Sequence, residues 1–475
     1  MDFKKVSVIA ALAIASSISA YAGETDDRIA SLEKEIAAIK KNQASMSQTI
    51  DAVETKTLVD KLNISPELRL RMDSFSYKSN SIDGVNWASE ATQANQENYL
   101  KEYNPALSTR LRLNMSYDAG ENTKFVGRIG IHKNSQTNER VCIMHKSIVA
   151  SPSAEVVFEV DKAYVDHTFN AKGEIPITGT FGILPTSGGS SSNIAEDKPR
   201  QSVFPSLIFD MNTYGIIATA DLSKVALNNT YMRAVLGKAY TQNKSQFYYQ
   251  CNREVVKNGD VAGLYAETQI PGLGDNTIQV GVNILKDLAA SPFVGSNTLI
   301  DADTPKILGD VYNTALNLEL RNIADSKLTA FASIGTSKMN SNGTTVDYKT
   351  TNTTYGAKGI DYAYGAMPNE TGYAYHVGAQ YTFSDWGTKL GAEYNYGSKY
   401  WFSATQGSED VFNKLSIHGN AVEVYAIQPI NKELFVKVGY LQMKEDYTGS
   451  GWHFGTSFAK DANTKDAYVI LNAMF

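Results

Sequence analysis

Residues 110–132 read RLRLNMSYDAGENTKFVGRIGIH, and the reading of this stretch decides the fold. Leu111, Leu113, Met115 and Tyr117 alternate with Arg110, Arg112, Asn114 and Ser116, so a strand here would send the two sets to opposite faces. DAGEN at 118–122 reverses the chain, after which Phe125, Ile129 and Ile131 point one way and Lys124, Arg128 and His132 the other. A hairpin with aliphatics on one face and arginines on the other suits a wall between oil and water.

The same pattern recurs outward from this hairpin. Short connections fall at PGLGDN (271–276), NIADS (322–326), SDWGT (384–388) and PINKE (429–433). Their flanking strands carry single-face apolar rows such as Ile278/Val280/Val282/Ile284, Leu316/Leu318/Leu320, Val377/Ala379/Tyr381/Phe383 and Leu390/Ala392/Tyr394/Tyr396. Long polar segments separate the hairpins, at 78–106, 134–157, 187–211, 241–260 and 338–371. Alternating short and long connections predict an all-β fold: a transmembrane, antiparallel, up-and-down β-barrel with short turns at the periplasmic rim and long loops outside. Counted back from a C-terminal strand that ends in the periplasm, the alternation closes at about sixteen strands. The last strand, AYVILNAMF, places Ala467, Val469, Leu471, Ala473 and Phe475 on one face, a pattern that resembles the assembly signal of outer-membrane barrels.

Composition agrees. Charged residues make up 20% of the chain, against 27 tyrosines and 35 glycines, a mix suited to strands, turns and interfaces. A net charge of -6 without a block of Lys or Arg argues against nucleic acid as a partner. Lys4 and Lys5, the apolar run Val6 to Ile18 and Ala20-Tyr21-Ala22 read as a signal peptide over residues 1–22, cleaved before Gly23. Residues 23–63 then form a periplasmic helix and 64–475 the barrel. In that helix Ile29, Leu32, Ile36, Ile39, Met46, Ile50 and Val53 space as an a/d stripe, with Gln43 as its polar position. The stripe is narrow, which favours a short coiled coil over an amphipathic helix laid on the barrel, and its isoleucines lean toward three strands.

Candidate chemistry lies in the lumen. Arg69, Arg71, Arg110, Arg112 and Arg128, with Lys124 and Lys162, fall on inward positions, because an Arg on the lipid face costs about 2–4 kcal/mol at mid-membrane. One reading is a basic, pore-lining wall that faces Glu196 and Asp197 on the loop 187–211 and selects permeants by charge. The other is that these charges only solvate the lumen and pair with Asp73, Asp166 or Glu319; both stay open at this point. The six histidines form no HExxH, no GxSxG occurs, and neither Cys142 nor Cys251 has metal-type spacing, so no catalytic residue, metal or cofactor is expected. Strand parity puts both cysteines in long outer loops, where they could form a disulfide.

DKAYVDHTF (161–169), ITGTFGILPTSGG (177–189), GAEYNYGSKYWFSATQG (391–407) and DYTGSGWHFG (446–455) resemble an uncharacterised porin-like outer-membrane family of the epsilon-class proteobacteria. The resemblance implies the barrel and an outer-membrane location, and supplies no solute. In strand count and in its long third outer loop the chain also resembles trimeric general-diffusion and anion-selective porins, where that loop narrows the lumen. The expected protein is therefore a porin for small hydrophilic solutes or ions. Its partners would be outer-membrane lipid and lipopolysaccharide, the barrel-assembly machinery at Phe475, and two further copies of itself. The competing class is a structural or adhesive surface protein whose coiled coil spans the periplasm.

Overall fold

In the computed structural model, residues 33–41, 43, 61–82, 99–134, 157–240, 259–289, 298–300, 307–345, 348–350, 367–405, 410–447, 450, 457 and 459–475 are described. The signal-peptide segment, Cys142 and Cys251 lie outside them. The chain divides into two units, residues 1–62 and 63–475. Within the first, residues 33–41 are helical and exposed, Ile36 and Ile39 included.

The second unit is a closed antiparallel barrel of sixteen strands, each bonded to its neighbours in sequence. They are β1 (Leu62–Ile82), β2 (Tyr99–Gly120), β3 (Thr123–Asn134), β4 (Val157–Phe169), β5 (Ile177–Leu184), β6 (Thr213–Asp221), β7 (Tyr231–Tyr240) and β8 (Gly259–Thr268). The second half comprises β9 (Asp275–Ala289), β10 (Ile307–Arg321), β11 (Leu328–Ser341), β12 (Thr371–Thr382), β13 (Lys389–Gly397), β14 (Gly419–Pro429), β15 (Leu434–Tyr447) and β16 (Ala459–Met474). Closure pairs β1 with β16, Arg69 opposite Asn472 and Arg71 opposite Ile470. At the seam the Phe475 amide donates to the Pro66 carbonyl at 3.0 Å and the Ser65 hydroxyl to the Phe475 carbonyl at 2.8 Å. Full closure leaves the barrel itself without an edge strand.

The expected hairpins occur where the sequence reading put them, with DAGEN between β2 and β3, PGLGDN between β8 and β9, NIADS between β10 and β11, SDWGT between β12 and β13, and PINKE between β14 and β15. At NIADS, Asn322, Ala324, Asp325 and Lys327 all take positive φ, and the Asn322 side chain accepts the Lys327 amide at 3.0 Å to hold the bend.

Alternation is kept along the strands. Large apolar side chains stand exposed on the outer face around the whole circumference, among them Leu70, Phe158, Phe181, Leu236, Val282, Leu316, Ile334, Val377, Val422 and Val469. The inner face departs from a simple aqueous lining. Between β5 and β12 it carries an apolar patch, with Ile217, Val235, Val261, Leu285, Val311, Met339 and Ala374 buried against chain that enters the barrel, among polar inward groups such as Arg233, Glu267, Gln279, Asn317 and His376.

Candidate functional site

Two connections fold into the lumen. One joins β5 to β6 through residues 185–212 and contains the short helix Ser192–Glu196; the other joins β13 to β14 through residues 398–418. These junctions lie eight strands apart in a ring of sixteen, so the two segments enter from opposite walls. They meet inside the barrel, where Phe209–Asp210 pairs in parallel with Ala404–Thr405. The Ala404 amide donates to the Ile208 carbonyl at 3.2 Å and the Ser403 hydroxyl to the Leu207 carbonyl at 2.5 Å. The result is a crossbar over the lumen.

Burial of apolar side chains holds the crossbar down. Phe204, Leu207, Ile208, Phe209, Trp401 and Phe402 are all fully buried, packed with the apolar patch on the inner face of β5 to β12. Trp401 is also pinned by hydrogen bonds, its Nε1 donating to the Leu415 carbonyl at 2.8 Å while its own carbonyl lies 2.6 Å from His418 Nε2. The backbone at Tyr400–Trp401 lies directly on Gly372 of β12, where an added Cβ would sit 2.2 Å from the Trp401 nitrogen. Only a glycine admits that approach. Beside this seal, inward amides satisfy one another: Asn313 donates to Asn283 at 3.2 Å, and Asn283 to the Tyr265 hydroxyl at 3.2 Å.

The remaining arc, β1 to β4 with β14 to β16, is charged. Arg71 donates to Asp73 at 2.6 Å and to Asp466 at 3.2 Å. Arg110 reaches Glu67 at 2.6 Å, and Lys198 of the crossbar reaches the same carboxylate at 2.7 Å. Arg128 binds Asp161 at 2.7 Å, and Arg112 lies 3.5 Å from it. Gln201 of the crossbar accepts from Arg128 at 2.8 Å and from Lys162 at 2.7 Å. These contacts of the crossbar, with Glu67 of β1, Arg128 of β3 and Lys162 of β4, are polar. Two small apolar contacts flank this strip, Phe412 against Phe75 and Ala195 against Tyr425 and Phe435.

Lys414, on the inserted segment, is buried between Glu393 at 2.6 Å and Glu423. Burial works against its ammonium, but Glu393, Glu423 and Asp410 outweigh that and hold its pKa well above the ordinary lysine value. Glu423 also meets Lys437 at 3.3 Å and the Tyr468 hydroxyl. Near these groups a cavity of about 70 Å³ opens beside Arg69, Arg71, Glu196, Lys198, Lys437 and Asn472.

The structure therefore distributes the residues singled out from sequence. Arg71, Arg110, Arg112 and Arg128 are buried on the inner face, Arg69 is half-buried at the cavity, and Lys124 is exposed beside the β2–β3 turn. Glu196 lines the cavity with Arg69 and Arg71, whereas Asp197 turns to Lys389 at the start of β13. Of the three carboxylates considered as partners, Asp73 pairs with Arg71, Asp166 accepts from Thr180 at 2.5 Å, and Glu319 holds the Ser191 amide at 2.6 Å and Arg321 at 3.0 Å. The arginine wall is thus an alternation of cations and carboxylates. Asp161 escaped the sequence reading because β4 shifts register opposite Arg128 and Ile129, which puts Asp161 and Lys162 both inward. Glu423, Lys437 and Asp466 were readable, since each alternates with an outward apolar residue. Among the described residues no group of three His, Cys, Asp or Glu side chains is placed to hold a metal.

A family model described as "Protein of unknown function (DUF3373)" matches residues 101–473. No curated protein matches the chain. Solved structures similar to it include OmpF of Salmonella typhi in complex with daunomycin, at 11% identity and TM-score 0.43 over 87% of this chain and 97% of that one. A loop-deletion mutant of OmpT, an outer membrane protein of Vibrio cholerae, aligns at 11% identity and TM-score 0.42 over 87% of this chain and 100% of that one. In-vitro folded OmpT of Vibrio cholerae in its trimer form gives 13% identity and TM-score 0.42 over 87% and 99%. Likeness at that level says nothing of solute or assembly.

Proposed function

Because this chain belongs to the DUF3373 family, described as of unknown function, we propose its function from the barrel itself: it is an outer-membrane porin whose lumen is narrowed to a charged passage. The outer-membrane location is supported by the apolar belt of exposed side chains around a closed barrel, since in lipid only helices and closed barrels satisfy every backbone group. A belt of that extent is a liability in water. With the signal peptide expected over residues 1–22, short turns face the periplasm and long loops the exterior.

The observation that carries the reading is the crossbar. It packs an apolar patch against the β5–β12 side, where Arg200 also binds Glu267 and Gln279 the Val203 carbonyl, and meets β1, β3 and β4 through Lys198, Gln201 and their charged partners. Polar contacts of this kind exchange with water and ions, whereas an apolar constriction bars them by dewetting. The passage therefore runs along β1 to β4 and β14 to β16, and takes small hydrophilic solutes or ions by passive diffusion rather than bulk solute. Its alternating charges favour permeants that carry charge and can trade one partner for the next.

Planar-bilayer recording tests this. Purified protein should give stepwise current in KCl, small for a barrel of sixteen strands because two inserted segments meet inside it. A folded, inserted protein that gives no steps at all would return the chain to the structural or adhesive class.

A further inference from the structure

On the outer wall, where β15, β16 and β1 adjoin, the strand register sets side chains in cross-strand rows. Val438, Val469 and Met72 form one row, and Tyr440, Ala467 and Ser74 the next. Gln442, Lys465 and Ser76 follow, and then Lys444, Asn463 and Lys78. From the C-terminal end of β16 toward the long loops, the wall thus turns from aliphatic to basic. Between Ala473 and Lys465 a tilted strand climbs about 20 Å, against an apolar band about 25 Å tall in barrels of this kind. Lys465 and Lys78 stand where the acyl chains of the outer leaflet give way to its head groups.

Both lysines are exposed, and among the described residues neither has a hydrogen-bond or ion-pair partner. They are diagonal neighbours on adjacent strands, with about 7–8 Å between Cα atoms, and like charges so close repel. Lys444 is not free in this way, since Asp446 lies 3.2 Å from it. Asn463, directly opposite Lys78, accepts from the Gln442 amide at 3.4 Å, which leaves its own amide nitrogen as a donor. Two unpaired cations on a lipid-facing wall are unfavourable unless an anion meets them. A second copy that met this face with its own equivalent would add like charge to like charge. The aliphatic rows below the lysines suit acyl chains instead, so the complementary occupant is an anionic lipid. A phosphate monoester carries about 1.5–2 negative charges near pH 7, enough for both ammonium groups, whereas the diester of a phospholipid carries a single charge.

We infer that this face docks lipopolysaccharide. A phosphate monoester of that lipid lies between the Lys78 and Lys465 ammonium groups, with the Asn463 amide nitrogen as a third donor, while its acyl chains cover Tyr440, Val438, Val469 and Met72. The inference rests on the outer-membrane part of the proposed function and on nothing in the lumen, and adds a lipid partner that conduction does not require.

The test is native mass spectrometry of the full-length protein, folded in detergent, with three lipids: lipid A prepared from lipopolysaccharide, the same lipid after phosphatase treatment, and phosphatidylglycerol. Lipid A should bind about tenfold more tightly than either of the others. Lys78→Gln with Lys465→Gln should erase that margin. Lys224→Gln with Lys432→Gln, which removes the same charge from exposed positions in two short turns, should keep it. Equal binding of lipid A and its dephosphorylated form, a margin that survives K78Q with K465Q, or a margin lost equally with K224Q and K432Q overturns the site. Loss of self-association in the first variant with lipid binding unchanged assigns the face to a second copy and overturns it as well. Conductance of the same preparation in KCl separates the two claims. Steps without a lipid margin refute the lipid site and leave the channel, while a margin without steps refutes the channel and leaves the lipid site.

Discussion

The Ala404 amide donates to the Ile208 carbonyl at 3.2 Å, and through that bond two segments that enter the barrel from opposite walls become one body. Neither segment alone spans the lumen by regular structure. The joint is two residues long on each side, so its hold depends on a few hydrogen bonds and on the apolar side chains beneath it.

Ala404→Pro removes the donor of this bond without touching the wall. The expected result is a larger unitary conductance than wild type in KCl, from a barrel that still shows the heat-dependent gel mobility of the folded state. Unchanged conductance in a folded A404P barrel would mean that the joint does not limit the passage.

Trp401 is fully buried and holds the second segment by both its indole and its carbonyl. Trp401→Ala should cost about 3–5 kcal/mol of local stability, the usual price of emptying a buried aromatic site. Because the sixteen-strand wall does not depend on it, the loss should appear as protease cleavage within 398–418 at temperatures where the barrel stays intact. Trp401→Phe keeps most of the volume but leaves the Leu415 carbonyl without its donor, and should fall between the two.

The wall was legible in the sequence, and the entry of the loop 187–211 was expected from the resemblance to trimeric porins; the second segment, 398–418, and the joint between the two were not legible, for a physical reason. Side alternation is a local property: Leu111 and Arg112 declare their faces to any reader of neighbouring residues, and the turns between declare the hairpins. The crossbar is set by contacts such as Ser403 with Leu207, 196 positions apart, in segments without a period. Trp401 falls in the stretch 391–407 that carries the family resemblance, yet nothing local says that it turns into the barrel. The parity of Asp161 was lost for a smaller reason, one extra residue in β4 opposite Arg128.

The exposed helix at residues 33–41 carries Ile36 and Ile39 of the a/d stripe in the open. Burial against other copies of the same helix would stabilise two isoleucines so placed. Native mass measurement in detergent should therefore give three chains, and Ile36→Glu with Ile39→Glu should give one. A monomer at every concentration of the wild type would rule out the trimer.

Asp161 is shared by Arg128 at 2.7 Å and Arg112 at 3.5 Å, and this sharing lets the charge of the passage be moved in either direction. Asp161→Asn leaves two guanidiniums on the inner face with one carboxylate fewer, so the reversal potential in a KCl gradient should shift toward anion selectivity. Replacing Arg110, Arg112 and Arg128 together with Ser removes three cations and frees Glu67 and Asp161 from those partners, so the shift should be toward cations and larger. Breaking one side of a buried ion pair costs about 3–5 kcal/mol, so each variant must first be shown to insert as a folded barrel. A narrow, low-dielectric passage screens such changes less than open water does, which makes the sign of the shift readable even at 0.1 M salt, where the Debye length is about 10 Å. Opposite shifts from the two variants place the permeant beside Asp161. If both variants fold and neither moves the reversal potential, the current does not pass along β2 to β4, and this arc only braces the crossbar.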